Sequence, residues 1–366
     1  MISKNIFFDY TVESNQSLSI TIPEIIKTDD HPPTGKLPAE LLENLLRHAP
    51  ASDPRLILGP GVGLDCGVVQ MGDVLLVFKA EPITFVSDQI GWYGVHVAVN
   101  DIATTGAIPR WMMVTLLLPE GKTTPDLVQS ISSQIYAAAD GYGITIVGGH
   151  TEITTGLDRP ILSTMLIGEV SPDRLITPRG ACPGDCILLS KSIPVEGTAI
   201  LAREFPDLLR NSLSPEELLE AQNYIYTPGI SVWKDARVAI QAGKVHAMHD
   251  PTEGGLATAL WELAEASGTT LEIKPESIPV SNLSQKICDA LELSPLGTIA
   301  SGALLMVVPP EESLNIQEAL RNAGIPCTEI GNIRKGMAEV RLVHQAGSLP
   351  MPRYDQDEIT RAFQNC

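Results

Sequence analysis

SDQIGWYGVHVAVNDIATTGAIP, Ser87 to Pro109, decides how the rest of the chain is read. It opens with Asp88, runs through small and apolar residues from Gly91 to Ala98, and then sets an amide beside a carboxylate at Asn100 and Asp101. A polar pair inside an apolar segment is costly to bury unless a metal, a phosphate or a hydrogen-bonded partner meets it. Small residues on both sides allow backbone or a ligand to come close. The composition predicts a largely helical segment with Asn100 and Asp101 on its first or middle turns.

Upstream, Lys36 leads into LPAELLENLLRHA, whose apolar spacing predicts a helix with Pro38 near its first turn. Residues 1–35 show no sustained period and end in a Pro/Gly linker, so they read as a tail or an extra strand. Between Leu56 and Phe78, short apolar runs broken by Gly, Pro and Asp predict strands joined by tight turns. The turn GPGVGLD, Gly59 to Asp65, has backbone N–H groups enough to wrap a phosphate, although such a turn is more often only a hairpin. It lacks the Gly-Lys-Ser/Thr ending of a P-loop. Asp65 is either a metal ligand or a turn residue.

Downstream, TLLLPEG reads as a strand, Pro125 to Gly141 as an amphipathic helix, and Ile144 to Val147 as a buried strand. That strand is expected to end at Gly148-Gly149, leaving His150, Thr151 and Glu152 where α/β proteins often place ligand-binding groups. Alone, His150 would read as a surface histidine; its glycine and polar neighbours favour a functional one. Pro160 to Val170 is a further strand, and dense Pro, Gly and Asp near Pro172 mark a boundary. The remainder alternates helices and strands, which argues for α/β or α+β rather than a bundle. In HDPTEGGLATALWELAEAS, His249 to Ser267, a polar turn enters a helix that carries Glu262. Capping by Asp250 or Thr252, and a solvated Glu262, are the plain readings.

The net charge of −19 disfavours a nucleic-acid partner. No run of about eighteen apolar residues predicts a membrane helix. Six cysteines without a secretory signal point to a reducing cytoplasm. Cys182 and Cys186 flank CPGDC without the further ligands of a zinc site, and read as small buried residues on either side of a turn. Triad hydrolase and HExxH motifs are absent.

Seven segments in one order carry a resemblance: Gly61 to Gly67, Lys79 to Phe85, Ser87 to Gly91, Val99 to Pro109, Gly148 to Glu152, Gly184 to Ser190 and His249 to Leu260. Together they resemble the aminoimidazole ribonucleotide (AIR) synthase superfamily, and within it the AIR synthase-related and HypE-like proteins. The resemblance implies a two-domain PurM-like α/β (α+β) fold. Residues 36–171 would bind ATP and dimerise through a shared barrel-like sheet, and residues 172–366 would cover the cleft. It implies an ATP- and Mg²⁺-dependent enzyme that phosphorylates an oxygen of a small or protein-borne substrate. By motif position, Asp65, Asp88, Asp101 and Asp250 would hold metal and phosphate. Asn100, Gly148, Gly149, His150 and Thr151 would hold the nucleotide, and Asp101, Glu262 and Lys79 would be catalytic. Lys79 reads equally as a salt bridge at a strand end.

Three departures matter. Glu81 stands where many relatives have Asp, His150 stands where HypE has Asp, and EGTAILA at Glu196 to Ala202 is unlike HypE. They motivate a rival reading as a non-catalytic nucleotide-binding scaffold. HypE also ends in a cysteine, which carries a carbamoyl group to be dehydrated, so Cys366 raises a hydrogenase-maturation alternative. Here, however, Pro352-Arg353 lies well upstream and YDQDEITRAF reads as a terminal helix.

Overall fold

Two sheets and the helices on them account for the described residues, 34–364 apart from Phe85 and Asp355, in a computed structural model of the chain. The tail or strand expected before residue 34, and Cys366, lie outside the described residues. The first sheet contains β1 (Leu56–Leu58), β2 (Gly67–Met71), β3 (Val74–Ile83), β4 (Ile108–Pro119), β5 (Thr145–Thr154) and β6 (Ile161–Val170). Their order is β1-β2-β3-β6-β4-β5. All neighbours are antiparallel except β4 and β5, which α3 (Pro125–Gly141) joins as a parallel crossover. Thr124 caps α3 by accepting the Leu127 N–H, with Pro125 in its first turn, which is why the sequence marks this helix so clearly. A short helix, α1 (Ala39–Leu46), precedes the sheet.

The Ser87 to Pro109 stretch forms α2 (Ile90–Thr104), of which every residue but Trp92 is buried. It lies against β3, β6 and α3 and also reaches the second sheet's strand β8 (Ala247–His249). An all-round apolar helix is one buried on all sides, and the missing amphipathic period has that cause. Asn100 and Asp101 fall in its last turns, not the first or middle ones.

The strand expected to stop at Gly148 continues to Thr154. Gly148 and Gly149 pair with Met113 and Val114 of β4. Gly149 has φ +153°, and a side chain there would strike the Val114 carbonyl. The glycine therefore serves a close strand approach beside a bulge rather than a strand end.

The second sheet adds β7 (Cys186–Ser190), β9 (Thr270–Ile273), β10 (Leu305–Val308), β11 (Cys327–Arg334), β12 (Glu339–His344) and β13 (Gly347–Pro350). With β8 it runs β13-β12-β9-β11-β7-β10-β8. Its helices are α4 (Val195–Glu204), α5 (Pro206–Leu209), α6 (Pro215–Gln222), α7 (Trp233–Ala242), α8 (Gly255–Ser267), α9 (Asn282–Ala290), α10 (Pro310–Asn322) and α11 (Ile359–Gln364). Ser214 and Glu217 form a reciprocal capping box at the start of α6. Leu256, Leu260 and Leu263 of α8 pack with Ile187, Leu189 and Leu271 of the strands beneath, each buried side chain contributing about 2 kcal/mol. Cys186 is buried as expected, whereas Cys182 is exposed. No helix among the described residues is long and apolar enough to cross a membrane.

Candidate active site

Six segments of the chain bring their charged side chains together. Along β3, Lys79 and Glu81 are two residues apart and so project from the same face. Lys79 Nζ lies 3.1 Å from Glu81 Oε2 and 3.1 Å from Asp101 Oδ2 on α2. Strand β8 delivers His249 and the residue after it, Asp250. His249 Nδ1 is 2.9 Å from Asp65 Oδ2, off the line of a good hydrogen bond, and its Nε2 is 2.8 Å from Glu262 Oε2 on α8. Lys36 closes the row, donating to Glu262 Oε1 and to Thr252 Oγ1, each at 3.2 Å. Ligand atoms of Asp65, His249 and Asp250 all lie within 4.8 Å of one another.

The turn GPGVGLD owes a glycine to this packing rather than to a phosphate. Gly63 has φ +71°, and a Cβ on it would meet the Glu262 carbonyl oxygen at 2.6 Å. The turn is thus pressed onto α8, and Asp65 is delivered to His249 as a result.

Burial alone would neutralise all these groups, so their charges are set by their neighbours. Burial works against the His249 cation, but Asp65 and Glu262 on either side outweigh it and hold the imidazole well above its usual range. Asp65, opposed by burial, is held well below the carboxylate range by His249, Lys79 and Lys36. Glu262 is likewise lowered against burial by Lys36 and His249. Lys79 stays charged despite burial because Asp101, Glu81 and Asp65 surround it. Burial also raises Glu81 and Asp101 despite Lys79, and the third raised carboxyl is Asp250. Burial and the neighbouring Asp65 push it up to about 7, and neither of its oxygens has a hydrogen-bond partner.

Other residues expected at the site go elsewhere. Asn100 is fully buried and donates from Nδ2 to the Ile230 carbonyl at 2.8 Å, while its Oδ1 accepts the Val232 N–H at 2.8 Å. Its amide ties α2 to the chain before α7 from a fully buried position, with one N–H and one lone pair to spare. Asp88 pairs with Arg203 of α4, apart from Asp65 and Asp250, and so is not in the cluster. Gly148, Gly149, His150 and Thr151 lie on the exposed edge strand β5, lining a groove under α3, with His150 Nε2 3.1 Å from Glu152. Through the register Glu81–Thr164–Val114–Gly149, that edge is three strand spacings from β3, about 14 Å. Within one chain it does not meet the Lys79 cluster.

Sequence reasoning missed His249 and Lys36 as parts of the site. His249 heads the HDPTEGG segment and could have been found there. Lys36, a lone lysine after a linker, carried no signal. The reading also missed Asp357, whose Oδ2 accepts the Gly254 N–H at 2.7 Å and so fixes the turn that follows Asp250.

Comparison with known proteins matches the N-terminal domain of AIR synthase related proteins to residues 63–170 and the C-terminal domain to residues 182–343. The chain belongs to the AIR synthase related protein family. A protein of Methanocaldococcus jannaschii named for hydrogenase expression and formation is 34% identical over 275 residues, 71% of this chain and 77% of its own. Carbamoyl dehydratase HypE of Cupriavidus necator is 31% identical over 246 residues, 66% of each chain. A crystal structure of hydrogenase maturation protein HypE in complex with ATP superposes with a TM-score of 0.66 at 24% identity, covering 87% of this chain and 91% of that one. The two-sheet architecture is therefore the PurM-like fold shared by AIR synthase related proteins.

In this AIR synthase related chain the cluster suits a hard divalent cation. Five carboxylates, Asp65, Glu81, Asp101, Asp250 and Glu262, face three cations, Lys36, Lys79 and His249. Once a cation ionises the raised carboxyls the excess is negative, and Asp250 offers two unpaired oxygens, the donor type that Mg²⁺ selects. A pH effect follows. The folded-state value of about 7 for Asp250 exceeds the 3.8 of an unfolded aspartate, so its contribution to stability is complete below about 3.8 and is lost as pH rises through about 7. A cation on the ionised carboxylate reverses that loss. Mg²⁺ is expected to raise the melting temperature more at pH 8 than at pH 6, and Asp250→Asn should remove the difference. Equal Mg²⁺ effects at both pH values would exclude Asp250 as a ligand.

Proposed function

We propose that this chain is an ATP- and Mg²⁺-dependent enzyme that phosphorylates an oxygen of a small or protein-borne substrate. The observation that carries the reading is the buried cluster of Asp65, Asp101, Asp250 and Lys79, with Asp250 unpartnered, in a chain of this family. Asp65, Asp101 and Asp250 would hold Mg²⁺, which when bound offsets phosphate charge and polarises the transferred phosphoryl group. Lys79, kept protonated by Asp101 and Glu81, is positioned to neutralise further phosphate oxygens. His249 and Glu262 share a proton-bearing contact at 2.8 Å. While Lys36 and His249 hold Glu262 low, it is a weak base, so a general-base role needs Lys36 to move away. Release of ADP from ATP with Mg²⁺, rather than binding alone, separates this enzyme from a nucleotide-binding scaffold.

A homodimer fits the same reading. Trp111 and Met113 of β4, Met165 of β6 and Val147 and Ile153 of β5 are large apolar residues left exposed on the first sheet, and Met113 pairs directly with Met165. An exposed apolar sheet with a long free edge is a liability unless another chain covers it. Light scattering should give twice the 39.3 kDa chain mass, and Met113→Glu should halve it. A monomeric wild type would reject the dimer.

A second reading, ATP-dependent dehydration of a carbamoyl group on Cys366, is favoured by the similarity to carbamoyl dehydratase HypE. Against it stands the docking of α11, where Phe363 packs edge-on against Phe205 with ring centroids 4.9 Å apart. Deleting Cys366 must abolish nitrile formation if this reading is right.

A further inference from the structure

Beside the Lys79 cluster lies a second feature that the proposed phosphate transfer does not use. Glu196 is in the first turn of α4, and its backbone N–H is held by the Ser301 carbonyl at 3.2 Å. Its side chain is buried, with Oε2 lacking any partner, and the buried Ser301 hydroxyl also lacks one. Both line a narrow cavity of about 30 Å³ together with Glu81, Glu253, Val97 and Ile200. That is room for a small group of a few atoms, not a nucleotide.

The lining has a definite chemistry. Glu81 is bound to Lys79, and Glu253 lies 4.0 Å from Lys36. Glu196 has no such counter-ion, and none of the described lining residues is basic. Burial pushes the Glu196 carboxyl up to about 8, so it stays neutral beside the Ser301 hydroxyl until a guest supplies positive charge or N–H donors. The apolar walls suit a guest whose charged end is short. Glu81 lines the cavity and also lies 3.1 Å from Lys79, so the cavity borders the Lys79–Asp101 pair.

We propose that this cavity is the acceptor-substrate pocket and takes a small cationic N–H group, an ammonium or amidinium, on Glu196 and Ser301. The inference rests on the phosphotransfer reading and names the end of the substrate that the enzyme grips. Glu196 then determines specificity and does not touch the reacting phosphate. The segment EGTAILA, which sets this chain apart from HypE, is what supplies it.

Calorimetric titration of the full chain with methylammonium chloride and with acetamidinium chloride tests the pocket. Sodium chloride at equal ionic strength serves as blank and acetamide as the neutral look-alike. The expected result is saturable binding of at least one of the two cations, weakened about tenfold or more by Glu196→Gln. Ser301→Ala and Glu196→Asp should each weaken it less, and they carry the comparison if Glu196→Gln does not fold. Absence of saturable binding, acetamide binding as tightly as acetamidinium, affinity unchanged in the variants, or displacement of the probe by Mg²⁺ alone would each overturn the proposal. Mg²⁺-ATP is titrated into the same wild-type sample. Binding of ATP without binding of the cations removes the pocket alone. Failure to bind ATP removes the phosphotransfer reading and, with it, the acceptor role of any cation that binds.

Discussion

Asp101→Asn is expected to lower Mg²⁺-ATP-dependent ADP release by about a thousandfold, the scale on which a lost electrostatic contact to a reacting group is felt. The substitution keeps the size of the side chain but removes the carboxyl that faces Lys79 at 3.1 Å, and with it one oxygen that would bind metal. Folding should survive. Burial, opposed by Lys79 and reinforced by Asp250, Asp65 and Glu81, already holds the Asp101 carboxyl well above its usual range, so a neutral amide relieves crowding even as Lys79 loses a partner. A coupled ADP assay beside a thermal melt separates the two effects. Full turnover in a well-folded variant would reduce Asp101 to a counter-ion for Lys79.

The largest expected loss of stability belongs to its neighbour. Asn100→Ala removes two buried hydrogen bonds and strands the Ile230 carbonyl and the Val232 N–H, at a cost of about 3 kcal/mol. For a chain of this size that lowers the melting temperature by about 5 °C or more. Asn100→Asp should do no better, because an acceptor oxygen would replace the Nδ2 donor opposite the Ile230 carbonyl. A residue that merely touched nucleotide would change ATP affinity and leave the melt unmoved, so calorimetric unfolding of both variants without ATP distinguishes the roles.

This pair illustrates what the sequence could reveal. That Asn100 and Asp101 need partners follows from their burial in an apolar helix. Which partners they find does not, since Ile230 and Lys79 are brought up by separate folding events. Elements with local signals were legible: Pro125 to Gly141 through its proline and amphipathic spacing, and Gly255 to Ser267 through its glycine entry and leucine face. Strand β5 was cut short because glycine usually ends a strand, whereas here the bulge against β4 needs it. His249 and Lys36 were overlooked because a lone histidine or lysine becomes part of a site only when other segments fold around it. Glu196 was visible as an unusual segment, but its burial without a counter-ion exists only in the folded chain.

Direct titration of the wild-type protein with ATP in the presence of Mg²⁺, followed by assay of the same sample for ADP, tests the central claim most closely. The cluster of Asp65, Asp101, Asp250 and Lys79 predicts saturable, Mg²⁺-dependent binding and slow ADP release. ATP bound equally well without Mg²⁺, or not bound at all, would contradict it.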